Sequence, residues 1–498
     1  MLYAPWGRHE KTSVEIPLPA KGDYRIDLGL AGTRYPLDEA PFAINVRLKR
    51  EAAPVTIDAV APSADAGWWF QPVECTWKHV ALDGDTLVVS AACDSRAALL
   101  WVRLVPVDVI PDHAHPKHAM VVTNDAYRPF DSLEELFAPI MRLAGTPVAR
   151  INYCVGNGAY AFAVPSKVAI SSDYVQGGVY DNRYARDTAM SYAKLHREHP
   201  DVLKKLVDFT HAQGMAFDVS FRTGCTLDCM RYPEKGNAAE PDAAARGICR
   251  TENYCRHWDG TVVPRFSYAK DEVQDFFLRF YAEMLDGGAD GINLIWIRAL
   301  PAMLFEPAFR EKFRKRFGEA LADANDPRVA VLRADIMTDF HRRVRALAGS
   351  RHFSIFVPAD GKTCEAFGLD VARLAREGIV DDILIGNSLQ DARHTEGFRH
   401  IDFAYFKKAL AGTKTTFRPY FTGRVDEFKT AIAEGAAGVA YWDAAARPWV
   451  NWETYRRLTD DDGTRAIEEL KGKSLLRVHP LKTLDGFDYA RYPWHVAY

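Results

Sequence analysis

The chain is 498 residues long, 48% hydrophobic and 26% charged, with a formal net charge of −3. That length exceeds one ordinary domain, and the composition is that of a globular chain with ample core, not of a disordered or membrane protein. No long Lys/Arg block supplies the clustered positive surface that nucleic-acid binding needs, and Arg298 interrupts the richest apolar segment, so neither a nucleic-acid nor a membrane partner is expected. The N-terminal residues lack the apolar core of a signal peptide. A cytoplasmic location is expected as the chain is written, and a periplasmic or secreted one if a leader has been removed; oligomeric state is left open.

Residues 1–112 read as an all-β sandwich: short apolar runs such as Tyr24–Leu30, Phe42–Leu48, Thr86–Ser90 and Leu99–Val105 are separated by turn signals. Trp68, Trp69, Phe70 and Trp77 offer either a sugar-stacking surface or ordinary packing, and Cys75 and Cys93 read as core or as a cross-strand pair. A histidine-containing linker, 113–119, follows. From residue 120 to 475 strands alternate with helices, and a tail, 476–498, closes the chain.

Eight strands are predicted: Met120–Ala126, Val148–Cys154, Met215–Arg222, one within Gly287–Pro301, Phe353–Asp360, Asp382–Asn387, Thr416–Phe421 and Gly438–Asp443. The fold class expected is therefore α/β: a (β/α)8 TIM barrel preceded by an all-β sandwich domain. The third strand shows its two faces directly. Phe217, Val219 and Phe221 share one, and Asp218, Ser220 and Arg222 share the other, which must line a polar barrel interior.

Strand C-termini of such a barrel converge on one mouth. The polar residues there are Asp125, Asn152, Arg222, Asn293, Arg298, Asp360, Asn387, Tyr420 and Asp443, with Trp296 and Trp442 as rings. Amides, arginine and tyrosine match sugar hydroxyls, tryptophan matches sugar faces, and paired carboxyl groups are what glycosidic cleavage requires. Asp443 is the first choice for one carboxylate, and Asp360 and Asp125 compete for the other. Each has an ordinary alternative as a helix cap or an arginine partner.

The strand Asp290-Gly-Ile-Asn-Leu-Ile-Trp-Ile-Arg298, together with Gly368-Leu-Asp-Val371 and Glu377-Gly-Ile-Val-Asp-Asp382, resembles a family of bacterial glycosyl-hydrolase-like TIM-barrel proteins with an N-terminal β-sandwich. The likeness runs from Met120 to about Leu475. It implies glycoside hydrolysis with no required cofactor, and acidic residues at two positions of the fourth strand. Here those positions are Asn293 and Ile295. Either the active carboxylates sit elsewhere, as Asp443 and Asp360 would, or the chain binds carbohydrate without cleaving it.

Cys225, Cys229, Cys249 and Cys255 fall in one long connection after the third strand, where four thiols would hold a structural zinc or form two disulfides. A zinc-dependent enzyme is thus a further alternative. An iron–sulfur reading fails because Tyr232 stands at the third position of the required spacing. Cys154 and Cys364 are better read as small buried residues than as nucleophiles.

Overall fold

A computed structural model describes residues 2–4, 13–34, 42–61, 71–92, 97–110, 118–124, 130, 132–161, 163–170, 183–224, 248–386, 397–421, 425–442 and 477–478. The chain divides into two compact units, Met1–Lys117 with Phe137–Pro147 and Arg447–Tyr498, and His118–Leu136 with Val148–Ala446. Among the described residues no helix is long and apolar enough to cross a membrane.

The first unit contains β1 (Leu2–Ala4), β2 (Val14–Pro17), β3 (Lys21–Arg34), β4 (Phe42–Leu48), β5 (Val55–Ala61), β6 (Gln71–Asp83), β7 (Thr86–Ala91) and β8 (Ala97–Pro106). Antiparallel pairing joins β1, β8, β3 and β6 on one side and β5, β4, β7 and β2 on the other, and a short parallel contact, Thr33–Arg34 of β3 against Val60–Ala61 of β5, links the two into one continuous sheet. Alternation does the rest. Ile26, Leu28 and Leu30 of β3 meet Ile44, Val46 and Leu48 of β4 in a shared core that includes Cys75 and Trp77. On β3's other face, Asp27 is fully buried and accepts paired hydrogen bonds from Arg25 at 2.9 Å and one from Thr76 at 2.8 Å. Trp77 is thus core; Trp68, Trp69, Phe70 and Cys93 lie outside the described residues. The short strand Arg477–Val478 pairs antiparallel with β6, so these two residues add to this unit's sheet.

The second unit is the barrel. Its strands are β9 (Met120–Asn124), β10 (Val148–Asn157) with a short hairpin partner β11 (Tyr160–Ala161), and β12 (Ala216–Arg222). A second hairpin, β13 (Tyr254–Arg256) and β14 (Val262–Phe266), precedes β15 (Gly291–Ile295), β16 (His352–Pro358), β17 (Asp382–Gly386), β18 (Thr416–Pro419) and β19 (Ala440–Trp442). Excluding the hairpin strands, neighbours in sequence are neighbours in the sheet, and every pair is parallel. A bridge between Tyr420 and Ala440, with Phe421 N donating to Ala440 O at 3.0 Å, closes the ring.

Helix Asp271–Asp286 shows why the connections cover the outside. Val273, Phe276, Phe277, Phe280, Tyr281 and Met284 fall on one face at helical spacing, and all are buried. Gly287 and Gly288 end the helix, Gly288 at φ 101°, and Asp290 then ties β15 to β12. Its Oδ2 accepts Phe217 N at 2.7 Å and lies 2.7 Å from His211 Nε2.

Inside the barrel the base is ionic. Asp218 is fully buried between Arg150 and His352, with His352 Nδ1 at 2.5 Å. Asp382 accepts Thr416 Oγ1 at 2.8 Å and Arg418 Nε at 2.6 Å, and Arg418 also donates to Ala119 O at 2.6 Å. Gly291 makes room for the first set: a Cβ there would stand 2.4 Å from His352 O and 2.6 Å from Asp218 Oδ1. Gly291→Ala is therefore expected to cost about 1–3 kcal/mol of stability through overpacking, read as a lowered denaturation midpoint with an unchanged slope.

Candidate active site

Above the ionic base the lumen divides. On one side Ser220 Oγ donates to Asn293 Oδ1 at 2.8 Å, and Asn293 Nδ2 donates to Ser354 Oγ at 2.9 Å, a fully buried ladder across β12, β15 and β16. On the other, Val121, Ile295, Phe356, Leu384, Tyr420, Ala440 and Trp442 pack together, with the Phe356 and Trp442 rings 5.5 Å apart. The inward face expected from Asp218, Ser220 and Arg222 is thus polar, as their alternation requires.

Asn152 lies on β10 in register with Thr123 and Asp218. It is fully buried, and neither Oδ1 nor Nδ2 has a hydrogen-bond partner among the described residues. Farther along the strand the register slips between Cys154 and Gly156. This bulge exchanges the faces: Gly156 pairs with the outward Phe221, and Asn157 pairs with Arg222 on the inward side. The outward position has to be glycine. A Cβ on residue 156 would stand 2.7 Å from the rings of both Phe221 and Phe280.

Asp360 follows β16 and caps the helix Gly361–Ala366, its Oδ1 accepting Thr363 N at 2.7 Å. Asp360→Ala should therefore cost about 1 kcal/mol in stability, whereas Asp360→Asn, which preserves the cap oxygen, should change it by only a few tenths. Paired melting curves check this, and they make the asparagine variant the cleaner probe of any chemistry at residue 360.

Trp296 requires a correction. β15 ends at Ile295 and a 3₁₀ turn, Trp296–Arg298, follows; with Asn293 and Ile295 inward, alternation sends the Trp296 ring toward the helices rather than into the mouth. The ring is fully buried, edge-on to Tyr268 and Phe340, and its Nε1 donates to His341 Nε2 at 3.0 Å. His341 Nδ1 lies 2.7 Å from Met337 O, so the ring is the neutral Nδ1–H form, and burial pulls its pKa down to about 4. Arg298 belongs to the same turn, with its side chain outside the description. Asp125, Asn387 and Asp443 also lie outside the described residues. Of the expected site residues, the inner face therefore gathers Asn152, Asn293, Tyr420 and Trp442, with Arg222 at its rim.

The cysteine set changes as well. Cys225 and Cys229 lie outside the described residues, and Cys249 is half-buried. Cys255 is fully buried, and its Sγ lies 3.7 Å from both Phe266 O and Pro301 O, either of which can accept its single S–H. Burial, reinforced by the Glu306 carboxylate, pushes this thiol well above its ordinary pKa. Among the described residues no cluster of His, Cys, Asp and Glu could hold a metal ion. Cys154 donates to Gly156 O at 3.4 Å, and Cys364 is buried with its pKa raised chiefly by that burial. Both are fully or almost fully buried.

No family model matches the chain, and no curated protein matches it. Among solved structures it is similar to an alpha-galactosidase from Thermus thermophilus in complex with p-nitrophenyl alpha-D-galactopyranoside, with 12% identity, 93% of this chain and 88% of that chain covered, and a TM-score of 0.36. A GH20 exo-beta-N-acetylglucosaminidase from Vibrio harveyi in complex with N-acetylglucosamine shows 10% identity, coverage of 78% and 59%, and a TM-score of 0.38. TcOYE with pHBA shows 13% identity, coverage of 67% and 89%, and a TM-score of 0.37. At these scores the likenesses decide neither family nor activity.

Sequence reading also missed residues that shape the mouth side. Glu306 is fully buried and accepts Leu304 N at 3.0 Å, Arg256 N at 3.3 Å and the Ser267 hydroxyl, pinning the β13–β14 hairpin to the segment after β15. At the hairpin tip Trp258 is 39% exposed, with the Arg310 guanidinium 4.0 Å from its ring centroid. Only the Arg256-His-Trp-Asp259 run marked this place in the sequence, and it does not reveal which ring reaches solvent.

Proposed function

We propose that the barrel mouth binds a carbohydrate and hydrolyses its glycosidic bond through a carboxylate pair drawn from Asp443, Asp360 and Asp125. The supporting observation is Asn152, a fully buried amide without a partner among the described residues, on the inner face one inward step below the register of the Ser220–Asn293–Ser354 ladder. Sugar hydroxyls both donate and accept, which is what a planar amide offers, and the Tyr420 and Trp442 rings supply apolar surface for a sugar face. Glycosidic cleavage would then use one carboxyl group to protonate the leaving oxygen and the other to attack carbon or activate water.

A second reading, binding without cleavage, is favoured by two facts. Asp360 commits one oxygen to its helix cap, and β15 carries no acid at Asn293 or Ile295. Turnover of p-nitrophenyl glycosides in both anomeric forms, by wild type and by Asp443→Asn, Asp360→Asn and Asp125→Asn, separates the two. The hydrolase reading expects wild-type turnover that collapses in two of the three variants. Binding without turnover would leave the second reading, and turnover unchanged in all three would overturn the assignment of the carboxylates.

A further inference from the structure

We propose that the bulge in β10 makes Asn157 a ligand-binding residue of the mouth, its Oδ1 accepting a hydroxyl proton from a polyhydroxylated ligand; this rests on the carbohydrate reading above. Strand alternation places Arg150, Asn152 and Cys154 inward and would send residue 157 outward. The register slip between Cys154 and Gly156 reverses that, so Asn157 stands opposite Arg222 on the inner face. Bulges of this kind re-aim a side chain at the cost of a ladder position, and Gly156 is the residue whose lack of a side chain makes this one possible beneath Phe221 and Phe280.

The placement is rigid. Asn157 pairs with Tyr160 across a two-residue turn in which Gly158 has φ 57°, and Gly158 N donates to Arg222 O at 2.8 Å. Ala161 N then donates to Ile170 O at 2.9 Å, and Ile170 N to Ala159 O at 2.8 Å, so the hairpin is held from both sides. Yet Asn157, 9% exposed, leaves Oδ1 buried without a partner among the described residues. Thr223 Oγ1, at the end of the neighbouring strand, is also buried without one. A fixed, buried acceptor with nothing donating to it is suited to a hydroxyl that arrives with a ligand. Asn152 stands lower on the same strand and the same face, so a ligand seated at Asn157 would have a second planar amide beneath it.

The test is calorimetric titration of the full chain with p-nitrophenyl glycosides of hexoses, pentoses and N-acetylhexosamines in both anomers, alongside melting curves. Asn157→Leu is expected to lose about tenfold or more in affinity with no fall in melting temperature, because the lost oxygen has no protein partner. Asn157→Asp, which keeps an acceptor oxygen, is expected to recover most of the binding. Equal affinity of wild type and Asn157→Leu would overturn the proposal while leaving the carbohydrate reading intact. Weaker binding accompanied by a lower melting temperature and no recovery in Asn157→Asp would assign Asn157 a packing role and also overturn it. No binding of any probe by wild type would overturn both this proposal and the reading beneath it.

Discussion

Asp218→Ala is expected to lower the unfolding free energy by about 3–5 kcal/mol, because it removes one partner of a buried ion set and leaves the other charge stranded. The carboxylate is fully buried, with Arg150 and His352 on its two oxygens. Water cannot replace it readily, since the Arg150 side chain is only 23% exposed and the His352 side chain 18%. Replacing Asp218 by leucine together with Arg150 by methionine should cost clearly less than the sum of the two single changes, the signature of coupled charges. Urea unfolding of the two single variants and the double variant measures this; strict additivity would show that the ion set contributes little. Exposed pairs such as Lys204–Asp208, with side chains 68% and 58% exposed, should by contrast be nearly silent.

His341 should give the barrel a distinct acid sensitivity. The folded ring has its pKa pulled down to about 4 by burial, whereas an unfolded histidine titrates near pH 6.5. Its neutral form therefore contributes stability that is complete above about pH 6.5 and is lost as the pH falls toward about 4, where the unfolded chain binds a proton that the native ring refuses. Over that whole window the loss is about 3 kcal/mol, most of it present by about pH 4.5. His341→Gln removes the titration while keeping an oxygen able to accept from Trp296. The stability difference between wild type and this variant should therefore shift by about 2–3 kcal/mol between pH 7 and pH 4.5. A difference that stays constant with pH would show that His341 does not carry the effect.

The barrel was legible because each strand and helix follows its own period. The fourth strand announced itself through the buried stripe of helix Asp271–Asp286, the glycines that end it and the apolar Gly291–Ile295 run. The polar inner face was legible from Asp218 and Ser220, since alternation sets them opposite Phe217 and Val219, the apolar face that packs against the covering helices. Trp296 and Arg298 were grouped with the strand's polar and aromatic end, but with Asn293 and Ile295 inward, alternation itself assigns Trp296 to the outer face, where it joins the helix-facing core. Asn157 was missed for the opposite reason. A bulge depends on packing against Phe221 and Phe280, which are distant in sequence, so nothing in the local sequence distinguishes Gly156 from any other glycine. Cys255 shows a third limit, because cysteine spacing does not reveal that this thiol is fully buried beside Phe266 O and Pro301 O.

The closure of the ring has a dynamic consequence. β15 and β16 share a continuous register from Gly291 to Ile295, whereas β18 and β19 meet through the Tyr420–Ala440 bridge, Phe421 N to Ala440 O and Ala437 N to Phe417 O. A cylinder stitched so unevenly breathes first along its thinnest seam. The amide protons of Phe421 and Ala437 should therefore exchange with deuterium well before those of Leu294 and Ile355, and the barrel wall would open beside Trp442 while the β12–β15–β16 half stays shut.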